Sequence, residues 1–268
     1  MGSRKALFFD VDGTLLDEHS KKIPESAIRA VQEARRFGHL AFINSGRTFC
    51  LLEPIRRQIE MDGYLCGCGT HIILGERELY ARAVPPETAL HIKEALKRYQ
   101  VEGVLEGRDG CHFSRERSRM PQLERMRSDI QELGYASAAA LEDEGYEFDK
   151  FCCITDSHSD QKGFFQSLEA EFQIIDRGHD FWECVPKGHS KATGLQKVLD
   201  YYGISLEDAY VFSDSTNDLP MFTYAKNTIL MGHHDLELEP YASFTTRTVE
   251  DDGIAYAMEA LGLISRGA

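Results

Sequence analysis

The sequence predicts an α/β protein built on a doubly wound, mainly parallel sheet, with a smaller α+β domain inserted into it. Three observations lead there. An early apolar run, Ala6-Leu7-Phe8-Phe9, ends abruptly in Asp10 and Asp12, as a strand covered on both faces does when it delivers acids to its own end. Apolar runs alternate with amphipathic stretches towards both ends of the chain, the grammar of right-handed parallel units. Over residues 84–184 this gives way to helices separated by pairs of short strands, which implies a largely antiparallel sheet with helices on one face. The expected domains are therefore 1–83 with 185–268, and an insert of 84–184 long enough for its own core.

Composition narrows the function classes. The 268 residues carry 44 acids against 30 bases, a net charge of −14, and no basic block. Nucleic acid and anionic membrane surfaces are not expected partners of such a chain. No apolar run approaches the length of a membrane span, and the first is broken by Asp10 and Asp12 before it resembles a signal peptide. A cytoplasmic protein is expected. Of the seven cysteines, Cys152 and Cys153 are adjacent in an apolar run, which fits buried free thiols better than a disulfide framework. Cys66 and Cys68 flank a glycine, but no second Cys/His pair follows at zinc spacing.

In chain order, Pro24 opens an amphipathic helix that Gly38 stops, and residues 39–43 form the next strand. That strand runs into Asn44-Ser45-Gly46-Arg47 and a helix expected over 48–59. Short extended pieces follow to residue 81. In the insert, helices are expected near 87–99, 122–133 and 161–171. The strands there lie at 104–105 and 111–113 with Arg108-Asp109-Gly110 as the turn, then at 150–155, 174–175 and 181–184. The parallel grammar resumes with a helix over 190–202 and a strand over 209–212 that ends in Ser213-Asp214-Ser215-Thr216-Asn217-Asp218. A strand at 228–231 and a helix over 250–261 close the chain.

In such sheets ligands sit outside the carboxyl ends of the strands. There the chain gathers Asp10 and Asp12, Ser45, and Asp214 with Asn217 and Asp218, while Lys191 enters on a helix as the chain returns from the insert. An Asp-x-Asp pair taken alone fits a solvated strand end equally well. Several carboxylates together repel one another unless a cation compensates, and oxygen ligands with open water positions suit Mg²⁺. A carboxylate nucleophile, a second acid able to carry a proton, a hydroxyl donor and a lysine make a site for a phosphoryl group. Arg47 fits either that site or an ion pair with a neighbouring acid. His233 and His234 read as loop or capping residues, and Phe181 and Trp182 as core of the insert.

Four segments carry a resemblance to a known family: Asp10-Val-Asp-Gly-Thr-Leu, Asn44-Ser-Gly-Arg47, Lys187-Gly-His-Ser-Lys191 and Ser213-Asp-Ser-Thr-Asn-Asp218-Leu-Pro-Met221. In order, they resemble the signature motifs of the haloacid dehalogenase-like (HAD) phosphatases, with an insert in the gap where the Cof-type subfamily carries a type IIB cap. The resemblance implies a Rossmann-like core in which Asp10 is the nucleophile and Asp12 the general acid/base, its carbonyl also meeting the metal. It implies Asp214 as a further Mg²⁺ ligand with Asp218 supporting that shell. Ser45, the Gly46 amide, Lys191 and Asn217 would hold the phosphoryl group. Ser45 stands where threonine is common, Ser213 where glycine is usual and Cys68 where asparagine is frequent, and His233-His234 follow Gly232 where the family often has Asn-Ala. The function implied is Mg²⁺-dependent hydrolysis of small phosphorylated metabolites, sugar phosphates foremost. The alternatives are phosphotransfer between sugars, as in mutases with a related cap, and a non-catalytic regulator that binds a phosphometabolite, which would have no need of both Asp10 and Asp12.

Overall fold

The structure, a computed structural model, describes residues 3–265. The chain separates into two compact units: Met1–Gly46, Glu53–Leu79 and Ser190–Ala268 form the first, and Arg47–Leu52 with Tyr80–His189 the second. The insert expected at 84–184 lies within the second unit, which also takes the short segment that follows Gly46.

The first unit is organised on an eight-stranded sheet. In chain order its strands are β1 (Ala6–Phe9), β2 (Leu40–Asn44), β3 (Gly63–Cys66), β4 (His71–Leu74) and β5 (Arg77–Ala81). The second unit contributes β6 (Glu102–Glu106), β7 (Cys111–Phe113), β8 (Lys150–Ile154), β9 (Phe172–Asp176) and β10 (Phe181–Pro186), and the first sheet is completed by β11 (Ala209–Ser213), β12 (Asn227–Leu230) and β13 (Phe244–Thr245). The order in the larger sheet is β13-β12-β11-β1-β2-β3-β4-β5. All pairs from β13 to β3 are parallel, and β4 returns antiparallel on β3.

Every side chain of β1 is buried, because β11 and β2 flank it and both sheet faces are covered. Phe8 stacks on Phe42 at 5.1 Å between ring centroids, and Phe9 on Phe212 at 4.6 Å. Each fully buried phenylalanine contributes about 1.5–3 kcal/mol. From β1 the chain steps outward through β2 and β3, and later returns to β11 and steps the other way. The strand order therefore reverses at β1, the place where open α/β sheets leave a crevice at their carboxyl edge.

Helix α1 (Glu25–Arg36) crosses from β1 to β2 and buries Ala27, Ala30, Val31 and Ala34, spaced for one helical face. Helix α2 covers only Glu53–Arg56 and follows a 3₁₀ turn at Phe49–Leu52, in place of the single helix expected over 48–59. The reason is tertiary: Cys50 and Leu51 pack into an apolar cluster of the second unit, whereas Glu53 onward belongs to the first.

The second unit contains helices α3 (Pro86–Arg98), α4 (Pro121–Glu132) and α5 (Gln161–Leu168) with a wholly antiparallel sheet ordered β7-β6-β8-β10-β9. Phe151 and Cys153 of β8 join a cluster with Ile92 and Leu96 of α3 and Phe164 and Leu168 of α5. Cys152 and Ile154 join another with Leu123 and Ile130 of α4. Helices thus cover both faces, where one was expected. Alternate residues of β8 are apolar on both sides, so neither face can be left in water. Trp182 packs on Phe165 at 4.9 Å and donates to Thr155 Oγ1, and all seven cysteines are buried free thiols.

The chain re-enters the first unit at Ser190 and forms α6 (Lys191–Tyr202). Two further helices, α7 (Leu219–Tyr224) and α8 (Gly253–Ala260), complete the description. Among the described residues no helix is long and apolar enough to cross a membrane.

Candidate active site

The carboxyl end of β1 is where buried charge collects. Asp10 follows Phe9 directly, and its N–H donates to the Phe212 carbonyl of β11 at 3.0 Å, which holds the backbone in register beside Ser213. The next residues turn at once: the N–H groups of Leu15 and Leu16 donate to the Val11 carbonyl at 3.0 and 2.8 Å. Asp12 sits half-buried on that turn. Gly13 has φ +73°, and a Cβ there would run into the Asp214 carboxylate, so this position needs glycine on two independent grounds.

Lys191 is the first residue of α6, and its placement follows from the cap. Ser190 Oγ accepts from the Thr193 N–H at 3.2 Å while Thr193 Oγ1 accepts from the Ser190 N–H at 2.9 Å, a reciprocal capping box. The same helix start is seated against the Gly67–Gly69 turn, where a Cβ on Gly69 would meet the Ser190 carbonyl oxygen at 2.6 Å. That turn also fixes Ser45: Ser45 N–H donates to the Leu65 carbonyl, and Cys68 N–H to the Ser45 carbonyl at 3.1 Å. Cys68 holds a left-handed φ of 56°, a conformation uncommon for residues other than glycine and one that asparagine tolerates well.

The side chains converge on the ammonium of Lys191. Its Nζ lies 2.6 Å from Asp10 Oδ1 and 2.6 Å from Asp218 Oδ1, with the lysine side chain 1% exposed. The second oxygen of Asp218 accepts from Ser213 Oγ, and Thr14 Oγ1 donates to Asp214 Oδ1 at 2.7 Å. Burial opposes the charge on Lys191, but Asp10 and Asp218 outweigh it and raise its pKa above the ordinary value. Burial pushes the Asp10 carboxyl well up, against Lys191 and with Asp218 and Asp214 adding to the effect. Burial likewise raises Asp214 to about 6, opposed by the Thr14 hydrogen bond and helped by Asp218. One ammonium faces three carboxylates, and the cluster is short of positive charge.

That shortage is what a divalent cation would relieve. Among the described residues no three His, Cys, Asp or Glu side chains form a ready-made metal cage. This donor set matches Mg²⁺, which is commonly held by one or two carboxylates and keeps several waters. Asp218 has one oxygen against Lys191 and the other against Ser213.

The structure brings Asp10, Lys191, Asp214 and Asp218 together. Asn217 lies in the turn after Asp214, its Oδ1 accepting from Ser215 Oγ at 2.5 Å. Arg47 belongs to the second unit, where its guanidinium donates to the Leu51 carbonyl at 3.4 Å. His234 Nδ1 donates to the Met231 carbonyl at 2.6 Å, a contact within the loop that follows β12. Sequence reasoning missed four supporting groups. Besides Thr14 and Ser213, Asn44 Nδ2 donates to the Lys191 carbonyl at 3.0 Å. Asp235 accepts from the Thr216 N–H and hydroxyl at 2.8 and 3.0 Å and so fixes the turn that carries Asn217. For Asn44 and Ser213 the available signal is a polar residue closing an otherwise apolar strand.

Comparison with known proteins identifies the family. The model of the haloacid dehalogenase-like hydrolases matches residues 7–258. The chain is 31% identical over 266 residues to YkrA of Bacillus subtilis (strain 168), covering 97% of this chain and 98% of that one. It is 26% identical over 261 residues to the 5-amino-6-(5-phospho-D-ribitylamino)uracil phosphatase YitU of the same organism, covering 92% and 93%. Among solved structures, the HAD subclass IIB sugar phosphatase BT4131 superposes with a TM-score of 0.80 at 25% identity, over 97% of this chain and 100% of that one. The chain therefore belongs to the haloacid dehalogenase-like hydrolases, as a phosphatase of the Cof type.

Proposed function

We propose that this phosphatase hydrolyses small phosphorylated metabolites, sugar or polyol phosphates foremost, with Mg²⁺ and through a phosphoryl group carried transiently on Asp10. The observation that carries the reading is the charge imbalance at the end of β1: three carboxylates around a single buried ammonium. The substrate class is supported by the activities of two relatives, a sugar phosphatase and a phosphatase acting on a phosphorylated ribityl compound.

Asp10 attacks phosphorus, forming an O–P bond as the bond to the ester oxygen breaks, and Asp12 donates a proton to the departing alkoxide. Water then attacks the aspartyl phosphate, Asp12 takes its proton, and the Asp10 O–P bond breaks to release inorganic phosphate. Lys191, whose ammonium has three donors, neutralises charge on the phosphoryl oxygens together with the Ser45 hydroxyl, the Gly46 amide and Asn217. Asp10, Asp214 and the Asp12 carbonyl would hold Mg²⁺, with Asp218 keeping Lys191 and Ser213 in place behind them. When bound, the ion supplies charge neutralisation that lets an anionic nucleophile approach an anionic ester. The proposed cellular place is the cytoplasm, and the proposed role of the inserted unit is to choose the leaving group, since the motif residues address only the phosphoryl group common to every substrate.

A screen of phosphorylated metabolites with and without Mg²⁺ tests this. Release of inorganic phosphate from sugar or polyol phosphates, only with the ion, is the expected result. Conversion of a sugar phosphate to its isomer without phosphate release would point to a mutase, and no turnover across the panel would point to a binding protein.

A further inference from the structure

Asn44 closes β2 one residue before Ser45 and is completely buried. Its backbone is held without help from its side chain: Asn44 pairs with Leu65 of β3, and the Ser45 N–H donates to the Leu65 carbonyl at 2.9 Å. The side chain reaches two other segments of the same unit. Nδ2 donates to the Lys191 carbonyl at 3.0 Å and lies 3.3 Å from Met221 Sδ. One amide group therefore touches the first residue of α6 and the helix that follows Asp218.

A carbonyl can only accept, which fixes the amide with its nitrogen towards Lys191. Oδ1 is then buried with no partner among the described residues. An unmet buried acceptor destabilises a fold, and an apolar side chain of the same shape would avoid it. The four residues of β2 before Asn44 are all apolar, so the strand offers no local reason for an amide. The Lys191 carbonyl does not require one either, because carbonyls of the first helical turn have intrahelical donors. What the bond adds is placement, and a local rule broken beside a reaction centre is the pattern expected of a residue kept for function.

We propose that Asn44 is a positioning residue for phosphoryl transfer: by tying the backbone of Lys191 to the end of β2, it sets where the ammonium stands relative to Asp10 and Ser45. The inference rests on the proposed role of Lys191 in neutralising the phosphoryl oxygens. The ammonium sits on a flexible four-carbon stem and contacts Asp10 and Asp218. Its three donors are shared out anew when phosphoryl oxygens arrive, and the tethered backbone is then the fixed reference from which the stem reaches. Because the ladder to Leu65 holds Ser45 independently, replacing the Asn44 side chain acts on Lys191 and leaves Ser45 where it is.

A double-mutant cycle on the whole protein tests it, with Asn44→Leu, Lys191→Met and the pair assayed on a small aryl phosphate with Mg²⁺ and followed in thermal unfolding. Asn44→Leu should lower kcat by about tenfold with KM within about twofold, at a thermal midpoint unchanged or raised because the unmet acceptor is gone. In the Lys191→Met background the same substitution should change kcat by less than about twofold, since no ammonium is left to place. Asn44→Ala, which removes the amide without asking leucine to fit, should show the same coupling. Equal fold losses in the two backgrounds would show that Asn44 acts by packing, and a kcat unmoved by either Asn44 variant would show that it does not act on the reaction. Either result overturns the proposal and leaves the phosphatase reading standing. No phosphate release by the parent, or a Lys191→Met variant as active as the parent, would overturn that reading and this inference with it.

Discussion

Two lysines in this molecule are buried between two acids, and they differ in what surrounds the triad. In the first unit Lys191 contacts Asp10 and Asp218, both at 2.6 Å. In the second, Lys150 contacts Glu106 at 2.9 Å and Glu183 at 3.0 Å, with all three side chains 7% exposed or less. The second triad is a product of sheet register: Lys150 lies directly across from Glu106, and Glu183 pairs with Cys152 on the other side of β8. The Cys152 thiol lies 3.5 Å from Nζ, and burial pushes that thiol's pKa well up. The first triad sits at strand ends and has a third carboxylate, Asp214, whose pKa burial raises to about 6. A buried ion pair is weak evidence of stability, and no evidence of catalysis, by itself. What distinguishes the first triad, and supports its proposed place as the reaction centre, is the surplus acid, held by Thr14 and facing a glycine that leaves it room.

Asp10→Asn should lower kcat by about 10⁴-fold or more, as removal of a nucleophile does, and excess chelator should stop turnover until Mg²⁺ is restored. Steady-state assays on a small aryl phosphate read both, and full activity in EDTA after dialysis would remove the charge-imbalance argument. Lys191→Met should cost roughly 10²–10³-fold in kcat from lost charge stabilisation, with a lowered unfolding midpoint because Asp10 and Asp218 lose their counter-charge.

Lys150→Met is the contrasting case. Denaturant unfolding should show a loss of about 3–5 kcal/mol, the cost of leaving buried acids uncompensated, while aryl phosphate turnover by the folded fraction stays within about threefold of the parent, far short of an electrostatic effect on the transition state. The triple replacement Glu106→Leu, Lys150→Met, Glu183→Leu should recover that stability, since apolar groups of similar volume often match a buried ionic triad. A triple variant that stays unfolded would mean that the second triad specifies the sheet pairing.

The smallest expected effect is that of Ser213→Ala. It leaves Asp218 without one hydrogen bond at a cost of about 1–3 kcal/mol, and Lys191, held only through Asp218 and Asp10, becomes less well placed. A fall in kcat without a change in KM would separate this positioning role from substrate binding.

Much of this was legible in the sequence because the chemistry sits at strand ends, where an apolar run must stop. Asp10, Asp214 and Lys191 follow from that pattern and the order of the motifs, and Ser190 announces the start of α6. Other features depend on contacts distant in sequence. Lys150 reads as the polar end of a strand until Glu106 and Glu183 are brought beside it. The stretch 48–59 has the appearance of one helix, yet Cys50 is drawn into the second unit and Ile55 is buried in the first, and no local pattern records that division. Thr14, Asn44 and Ser213 are single polar residues whose partners exist only after the strands align.

The central claim is that Asp10 carries the phosphoryl group. Its most direct test is to mix the Asp12→Asn variant, slowed in the proton transfers that release phosphate, with an aryl phosphate and Mg²⁺, quench in acid, and reduce with borohydride, which converts an aspartyl phosphate to homoserine. Peptide mass spectrometry should find homoserine at residue 10 and at no other aspartate, dependent on substrate. Homoserine at another position, or none while the aryl alcohol and phosphate are released together, would contradict the account.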